Sequence, residues 1–316
     1  MKTVCLDGYT SIMENLSFDN FGELGEFVYY DRTAPEEVKE RCKDAEIILT
    51  NKVVIGKKEI DSLPNLKYIS VLATGYNIVD TEYAREKNIA VSNVPKYSTD
   101  SVAQHTFAVI LDIFSRVSLH SDSVLAGEWV RSKDFCFAKS PLTDLAGKSI
   151  GIIGYGAIGR KVAKIAQAFD MKVFALSRGR NYETDPNVCF GDYNDIFGCD
   201  IISVHCPATE ETVGMINGDF LKKMKNTAVL INMARGTIAE EEAVAEALNK
   251  GIIAYYGTDV ICREPMDKDC PLLKVKNIII TPHIAWAYED SRKRLLEITY
   301  NNVKSFIEGR PINLVN

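Results

Sequence analysis

Ile150-Gly151-Ile152-Ile153-Gly154-Tyr155-Gly156-Ala157-Ile158-Gly159-Arg160 decides how this chain is read. The segment contains GxGxxG, a weak signal by itself because glycines are common in turns. Here an apolar strand (149–153) precedes it and the helical run Lys161-Val162-Ala163-Lys164-Ile165-Ala166 follows. A strand, a tight turn and a helix in that order are what dinucleotide binding requires. Gly154 permits the turn, Gly156 lets the backbone approach a pyrophosphate, and Gly159 lets the helix pack closely on the strand. The free N–H groups of the helix N-terminus then face the phosphates.

Outward from this unit, apolar runs alternate with helical patterns, the signature of parallel βα units. Downstream, strands are expected at 172–177, 201–205, 228–232 and 277–281, with a helix at 157–169. Upstream, the reading is strand 2–7, strand 27–30, helix 35–43, strand 46–50, strand 67–72, helix 80–87 with Asp80 as N-cap, and strand 89–92. A long helical pattern runs from about Ser101 to His120. It is apolar on so many sides that it should be buried, with a second subunit as one covering surface. Residues 121–147 read as irregular. A last helix, 289–308, has Leu296, Thr299, Val303 and Phe306 on one face and stops at Gly309 and Pro311.

At 316 residues the chain has room for two domains, each with its own core. A net charge of −6 with scattered Lys and Arg argues against a nucleic-acid partner. No apolar stretch is long enough to cross a bilayer, and Met1–Gly8 reads as a strand and not as a signal peptide. Eight cysteines without a CxxC pair, in so large a chain, read as reduced thiols packed as small hydrophobes, not as disulfides or a metal site. The expected address is the cytoplasm.

The strand at 172–177 ends at Ser177-Arg178-Gly179-Arg180. An NAD-specific site usually places a carboxylate at this point to accept bonds from the adenine ribose. Ser177 cannot repel a 2′-phosphate, and Arg178 and Arg180 can bind one, so the pattern favours NADP over NAD. The plainer alternative is a pair of solvated arginines.

Three further segments put polar residues just beyond strand ends, the edge where open α/β sheets bind ligands. They are Met233-Ala234-Arg235-Gly236, Asp259-Val260-Ile261-Cys262-Arg263-Glu264-Pro265 and Pro282-His283-Ile284-Ala285-Trp286. An Arg, a Glu and a His are what reduction of a 2-keto acid needs. The Arg forks onto the carboxylate and polarises the carbonyl. The His donates a proton as hydride reaches carbon, and the Glu orients and stabilises the imidazolium. His205, also at a strand end, rivals His283.

With these residues in place, the chain resembles the D-isomer-specific 2-hydroxyacid dehydrogenases over nearly its whole length. Leu72-Ala73-Thr74-Gly75-Tyr76-Asn77, Tyr97-Ser98-Thr99-Asp100-Ser101-Val102-Ala103-Gln104 and His283-Ile284-Ala285-Trp286-Ala287 look most like the glycerate dehydrogenase (hydroxypyruvate reductase) branch. The resemblance implies Arg235, Glu264 and His283 as catalytic residues, and Thr74 and Gly75 as amides for the substrate carboxylate. It implies cofactor contacts at Ala157, Ile158, Cys206, Pro207, Thr212, Met233, Asp259 and His283, and places His205 beside the cofactor loop. It also implies a flavodoxin-like substrate domain (1–97 and 290–316), a doubly wound dinucleotide-binding domain (98–289), both Rossmann-like, and a homodimer with the helix after residue 100 in the interface. The family's usual ARGG, followed by a branched apolar residue and Asp, is Ala234-Arg235-Gly236-Thr237-Ile238-Ala239-Glu240 here. Two other readings compete. The formate dehydrogenase branch has Gln in place of Glu264, so the His–Glu pair argues against it, whereas a dinucleotide-sensing corepressor or binding protein can retain such residues without turnover and stays as the alternative.

Overall fold

Short runs of β-branched and aliphatic residues form, among the described residues, two all-parallel sheets. The computed structural model describes residues 1–176 and 185–316. The first sheet contains β1 (Lys2–Cys5), β2 (Glu26–Tyr29), β3 (Ile47–Thr50), β4 (Tyr68–Val71) and β5 (Ala90–Ser92), in the order β2-β1-β3-β4-β5. That is the flavodoxin-like order. The second contains β6 (Ser149–Ile153), β7 (Lys172–Leu176), β8 (Val188–Gly191), β9 (Ile201–Val204), β10 (Val229–Asn232), β11 (Tyr255–Thr258) and β12 (Ile278–Ile280), in the order β12-β11-β10-β9-β6-β7-β8. Strand order reverses between β6 and β9, the switch point of a doubly wound sheet. The central strands β3, β4, β9 and β10 are buried along their whole length, as a sheet covered on both faces requires. The expected α/β class with two Rossmann-like domains is what the chain adopts.

The chain divides into Met1–Ser98 with Trp286–Asn316, and Thr99–Ala285. The second unit is therefore inserted in the sequence of the first. In the first, Asp80 caps the helix Thr81–Glu86 by accepting from Tyr83 N. The helix Glu289–Ile307 buries Leu295, Thr299 and Val303. Val303 packs with Cys5, Ile47, Leu49 and Tyr68, and Phe306 stacks on Tyr68 at 4.3 Å between ring centroids. Beyond this helix the chain returns to β5. Val315 N donates to Val91 O at 2.9 Å, and Asn316 bonds Val91 N and Ile89 O through its side chain.

The second unit departs from the sequence reading in its helices. The expected helix 101–120 is instead Thr99–Ser115, interrupted at Arg116 and resumed over Val117–Leu125. Arg116 takes a left-handed conformation (φ 49°) and its guanidinium lies 4.3 Å from the Tyr255 ring centroid, a tertiary contact that local periodicity does not reveal. The apolar side of Thr99–Ser115 is covered by this chain's own sheet: Val102, Phe107, Val109, Ile110 and Ile113 pack with Ile150, Ile152 and Ile231. β8 and β11 are additions to the expected strands. Five of the free cysteines are buried as expected, but Cys136, Cys189 and Cys262 are exposed.

Removing the Phe306 ring should leave fully buried Tyr68 without its stacking partner. Phe306→Ala is expected to destabilise the protein by about 3 kcal/mol, read as a lower urea midpoint. An unchanged midpoint would show that the helix is held without this contact.

Candidate active site

One row of paired residues sets the position of everything that follows. Ile153 pairs with Val204, Val204 with Asn232, Asn232 with Thr258 and Thr258 with Ile280. Gly154, His205, Met233, Asp259 and Thr281 are therefore the first residues past a common edge, and Arg235, Ile261 and His283 are each three past it. The sequence-predicted residues of this unit gather along the carboxyl edge of one sheet.

At the switch point, Gly154 has φ +101°, and a Cβ there would overlap the backbone of His205 and Cys206. A Cβ on Gly159 would overlap the Gly154 carbonyl, whereas one on Gly156 would meet nothing within 4 Å. The helix Ala157–Ala168 begins at Gly156 with no side-chain cap, so the N–H groups of Ala157 and Ile158 receive no side-chain acceptor from the N-cap. That is a cradle open to an anion. Cys206 is buried and Pro207 exposed beside it. Thr212 is buried and spends its hydroxyl on this loop, donating to Pro207 O at 2.7 Å and accepting from Thr209 N at 2.7 Å. Met233 belongs to the core under the edge. Ser177, Arg178 and Arg180 lie outside the described residues.

Arg235 is exposed, with Nη1 donating to Ala234 O at 2.7 Å. Fully buried Asn232 laces its turn, accepting from Ala234 N at 3.1 Å and donating to Arg235 O at 3.0 Å. Glu264 accepts from Ile261 N through Oε1 at 3.3 Å, and its Oε2 accepts from His283 Nδ1 at 2.6 Å. Nδ1 is thus committed to the carboxylate, and Nε2 takes no part in that bond. His283 has φ 54°, a left-handed conformation uncommon outside glycine and characteristic of functional turns.

Asp259 explains how that turn is held. Its Oδ1 accepts from Thr281 Oγ1 at 2.6 Å and Ile284 N at 2.8 Å, and its Oδ2 from Ala285 N at 2.8 Å. Thr281 uses its one proton on Asp259, so it accepts from His105 Nε2 at 2.9 Å. Burial holds the His105 imidazole below the usual histidine range against the opposing effect of Asp259, consistent with a neutral donor. His105, Asn232 and Thr281 were not anticipated from sequence; the available signal was a His on the apolar side of a buried helix. His205 is of another kind. Its Nε2 bonds Ser203 Oγ at 2.8 Å, its buried Nδ1 has no partner among the described residues, and burial pushes it down to about 4. Thr74 and Gly75 lie in the first unit, just past β4, where Thr74 Oγ1 donates to Val94 O at 2.8 Å.

Residues 107–285 match the family described as D-isomer specific 2-hydroxyacid dehydrogenase, NAD binding domain. The chain belongs to this family. It is 43% identical to a hydroxypyruvate reductase of Blautia hydrogenotrophica, with 100% of both chains covered. It is 38% identical to a glycerate dehydrogenase of Methylorubrum extorquens, covering 92% of each. A solved NADPH-dependent glyoxylate/hydroxypyruvate reductase of Sinorhizobium meliloti, in complex with NADP and malonate, superposes with a TM-score of 0.86 at 25% identity, over 99% of this chain and 96% of that one. As a D-2-hydroxyacid dehydrogenase the protein is an oxidoreductase that binds a nicotinamide dinucleotide, and it falls with the hydroxypyruvate reductase and glycerate dehydrogenase branch.

Asp259→Ala would strip three donors of their shared acceptor in a dry environment. The expected cost is roughly 3 kcal/mol or more, with faster hydrogen exchange at the Ile284 and Ala285 amides. Unaltered protection at both amides would show that the turn does not depend on Asp259.

Proposed function

We propose that this protein reduces a small 2-keto acid, hydroxypyruvate or glyoxylate, to the D-2-hydroxy acid (D-glycerate or glycolate) and catalyses the reverse reaction. The observation that carries the proposal is the His283 Nδ1–Glu264 Oε2 bond of 2.6 Å on the sheet edge that also bears Arg235. The nicotinamide supplies or accepts the hydride when bound, its pyrophosphate held at Gly154, Gly156, Ala157, Ile158 and Gly159. Arg235 forks onto the substrate carboxylate and the carbonyl oxygen, where negative charge develops. His283 gives its Nε2 proton to that oxygen, and Glu264 stabilises the imidazolium that does so. In oxidation the neutral imidazole takes the proton back. Thr74 and Gly75 offer backbone N–H groups to the carboxylate. Met1–Ser98 with Trp286–Asn316 serves as substrate domain and Thr99–Ala285 as dinucleotide-binding domain. His205 is unsuited to the proton-donor role, because burial keeps it neutral well below physiological pH.

For the cofactor the proposal is NADP. The matched family is described as NAD-binding, so this choice rests on Ser177, Arg178 and Arg180 alone. A steady-state panel of hydroxypyruvate, glyoxylate and pyruvate with NADH and NADPH tests both points. Turnover is expected with the first two acids and a higher kcat/KM with NADPH. Preference for NADH would overturn the cofactor choice, and inactivity with all three acids would overturn the substrate class. In the same assay Arg235→Lys, which keeps the charge but loses the planar fork, should lower kcat/KM on the order of a hundredfold.

Two copies are proposed to associate through the segment after residue 115. Leu125, Val130 and Phe135 are 82%, 90% and 88% exposed, more apolar surface than one short stretch of a monomer ordinarily shows to water. Sedimentation should give a dimer, and the double substitution of Leu125 and Val130 by Glu should give a monomer. A wild-type monomer at micromolar concentration would rule this out.

A further inference from the structure

Two successive backbone N–H groups, those of Ile261 and Cys262, are divided between two carboxylates. Ile261 N donates to Glu264 Oε1 at 3.3 Å, and Cys262 N donates to Glu241 Oε1 at 2.7 Å. Glu241 Oε2 accepts from the Cys270 thiol at 3.5 Å. Although Cys262 is exposed as a residue, partial desolvation of its sulfur and then the Glu241 charge push its thiol up to about 11, and burial and the same charge push that of Cys270 in the same direction, so both remain protonated. This backbone also lies against Gly236, where a Cβ would overlap Ile261 and Cys262. Arg235 and Glu264 thus share one footing.

Glu241 is mounted on a firm support. It opens the helix Glu241–Asn249, which buries Val244, Ala245, Ala247 and Leu248 in the core. A short, charge-assisted bond from such a support constrains a loop more than a neutral one does. The other charged groups on the two segments are Glu240, Glu242, the Glu246–Lys250 pair, Lys268, Asp269 and the Arg263–Asp267 pair at 2.9 Å.

We infer that Glu241 is a positioning residue for the Glu264–His283 pair: it fixes Cys262 and Cys270, the two ends of the loop that carries Glu264, and so sets where that carboxylate meets the imidazole. The inference rests on the reading that this pair moves the substrate proton. Misplacing a catalytic group by a fraction of an ångström to an ångström is costly even when every reacting group is present.

The test is the pH profile of reductive kcat/KM at saturating dinucleotide for wild type, Glu264→Gln, Glu241→Ala and Glu241→Gln. Glu241→Ala should lower kcat/KM on the order of tenfold and move the alkaline limb to lower pH, the direction taken by Glu264→Gln. Dinucleotide affinity, read by fluorescence titration, should stay near wild type. Glu241→Gln keeps an oxygen to accept from Cys262 N and should recover most of what Ala loses. If Glu264→Gln moves the limb and Glu241→Ala does not, the positioning role is overturned while the pair stands. If neither moves it, the reading of the pair falls and the inference with it. A Gln variant as impaired as Ala also overturns the inference, because the acceptor would then be irrelevant. Should the Ala variant not fold, Glu241→Asp takes its place. It keeps the charge but withdraws the acceptor by one methylene, and the same outcomes decide.

Discussion

Asn232 is level with Val204 on one neighbouring strand and Thr258 on the other, and the functional geometry depends on that register. Parallel strands in a common register end together. Any residue a fixed number of positions past the row therefore meets its counterparts from the adjacent strands. A slip of one residue would turn Asn232 from the loop it laces towards the opposite face of the sheet. The central strands are buried on both faces, which makes such a slip very unfavourable. The hydrophobic effect thus fixes where the polar groups stand without touching them.

Past the row, the loops are held by groups that leave few polar atoms unspent. Asn232 secures the turn of Arg235, Asp259 the turn of His283, and Ile261 N one oxygen of Glu264. Each support is a buried or half-buried side chain or backbone group on, or beside, a regular element. Removing one strands its partners in a dry environment, where an unmet hydrogen bond costs more than a made one contributes. The two strand-end histidines show how burial separates chemistries. His205 bonds a serine through Nε2 and keeps its own Nδ1 buried without a partner among the described residues, whereas His283 faces a carboxylate and remains partly exposed.

Much of this was legible in the residues. The run from Ile150 to Arg160 announces its strand, turn and helix because each glycine answers a separate steric demand, and two of the three do lie where a side chain would collide. Arg235 and His283 stood out because each follows an apolar run at short range, and Glu264 because it lies in the polar segment between them. The break at Arg116 did not, because its left-handed conformation accompanies a contact with Tyr255, far away in sequence. β11 escaped for a similar reason: Tyr255-Tyr256-Gly257-Thr258 is short and carries a glycine, and only its neighbours on both sides define it as a strand. His105 and Glu241 could not be singled out, since a polar residue on a helix reveals its purpose only through what the fold brings against it.

The insertion of one unit within the other has a consequence for how the protein is made. Thr99–Ala285 is continuous, so a ribosome delivers all of it before any of the residues that close the first unit. The β1–β5 sheet has by then been translated but lacks the helix Glu289–Ile307 and the tail bonded to β5. Phe21, Tyr68 and Leu72 wait with one side uncovered until that helix emerges. The order of folding therefore need not follow the order of synthesis: the second unit can mature first, and Cys5 and Tyr68 meet Val303 only once the C-terminal helix has been made.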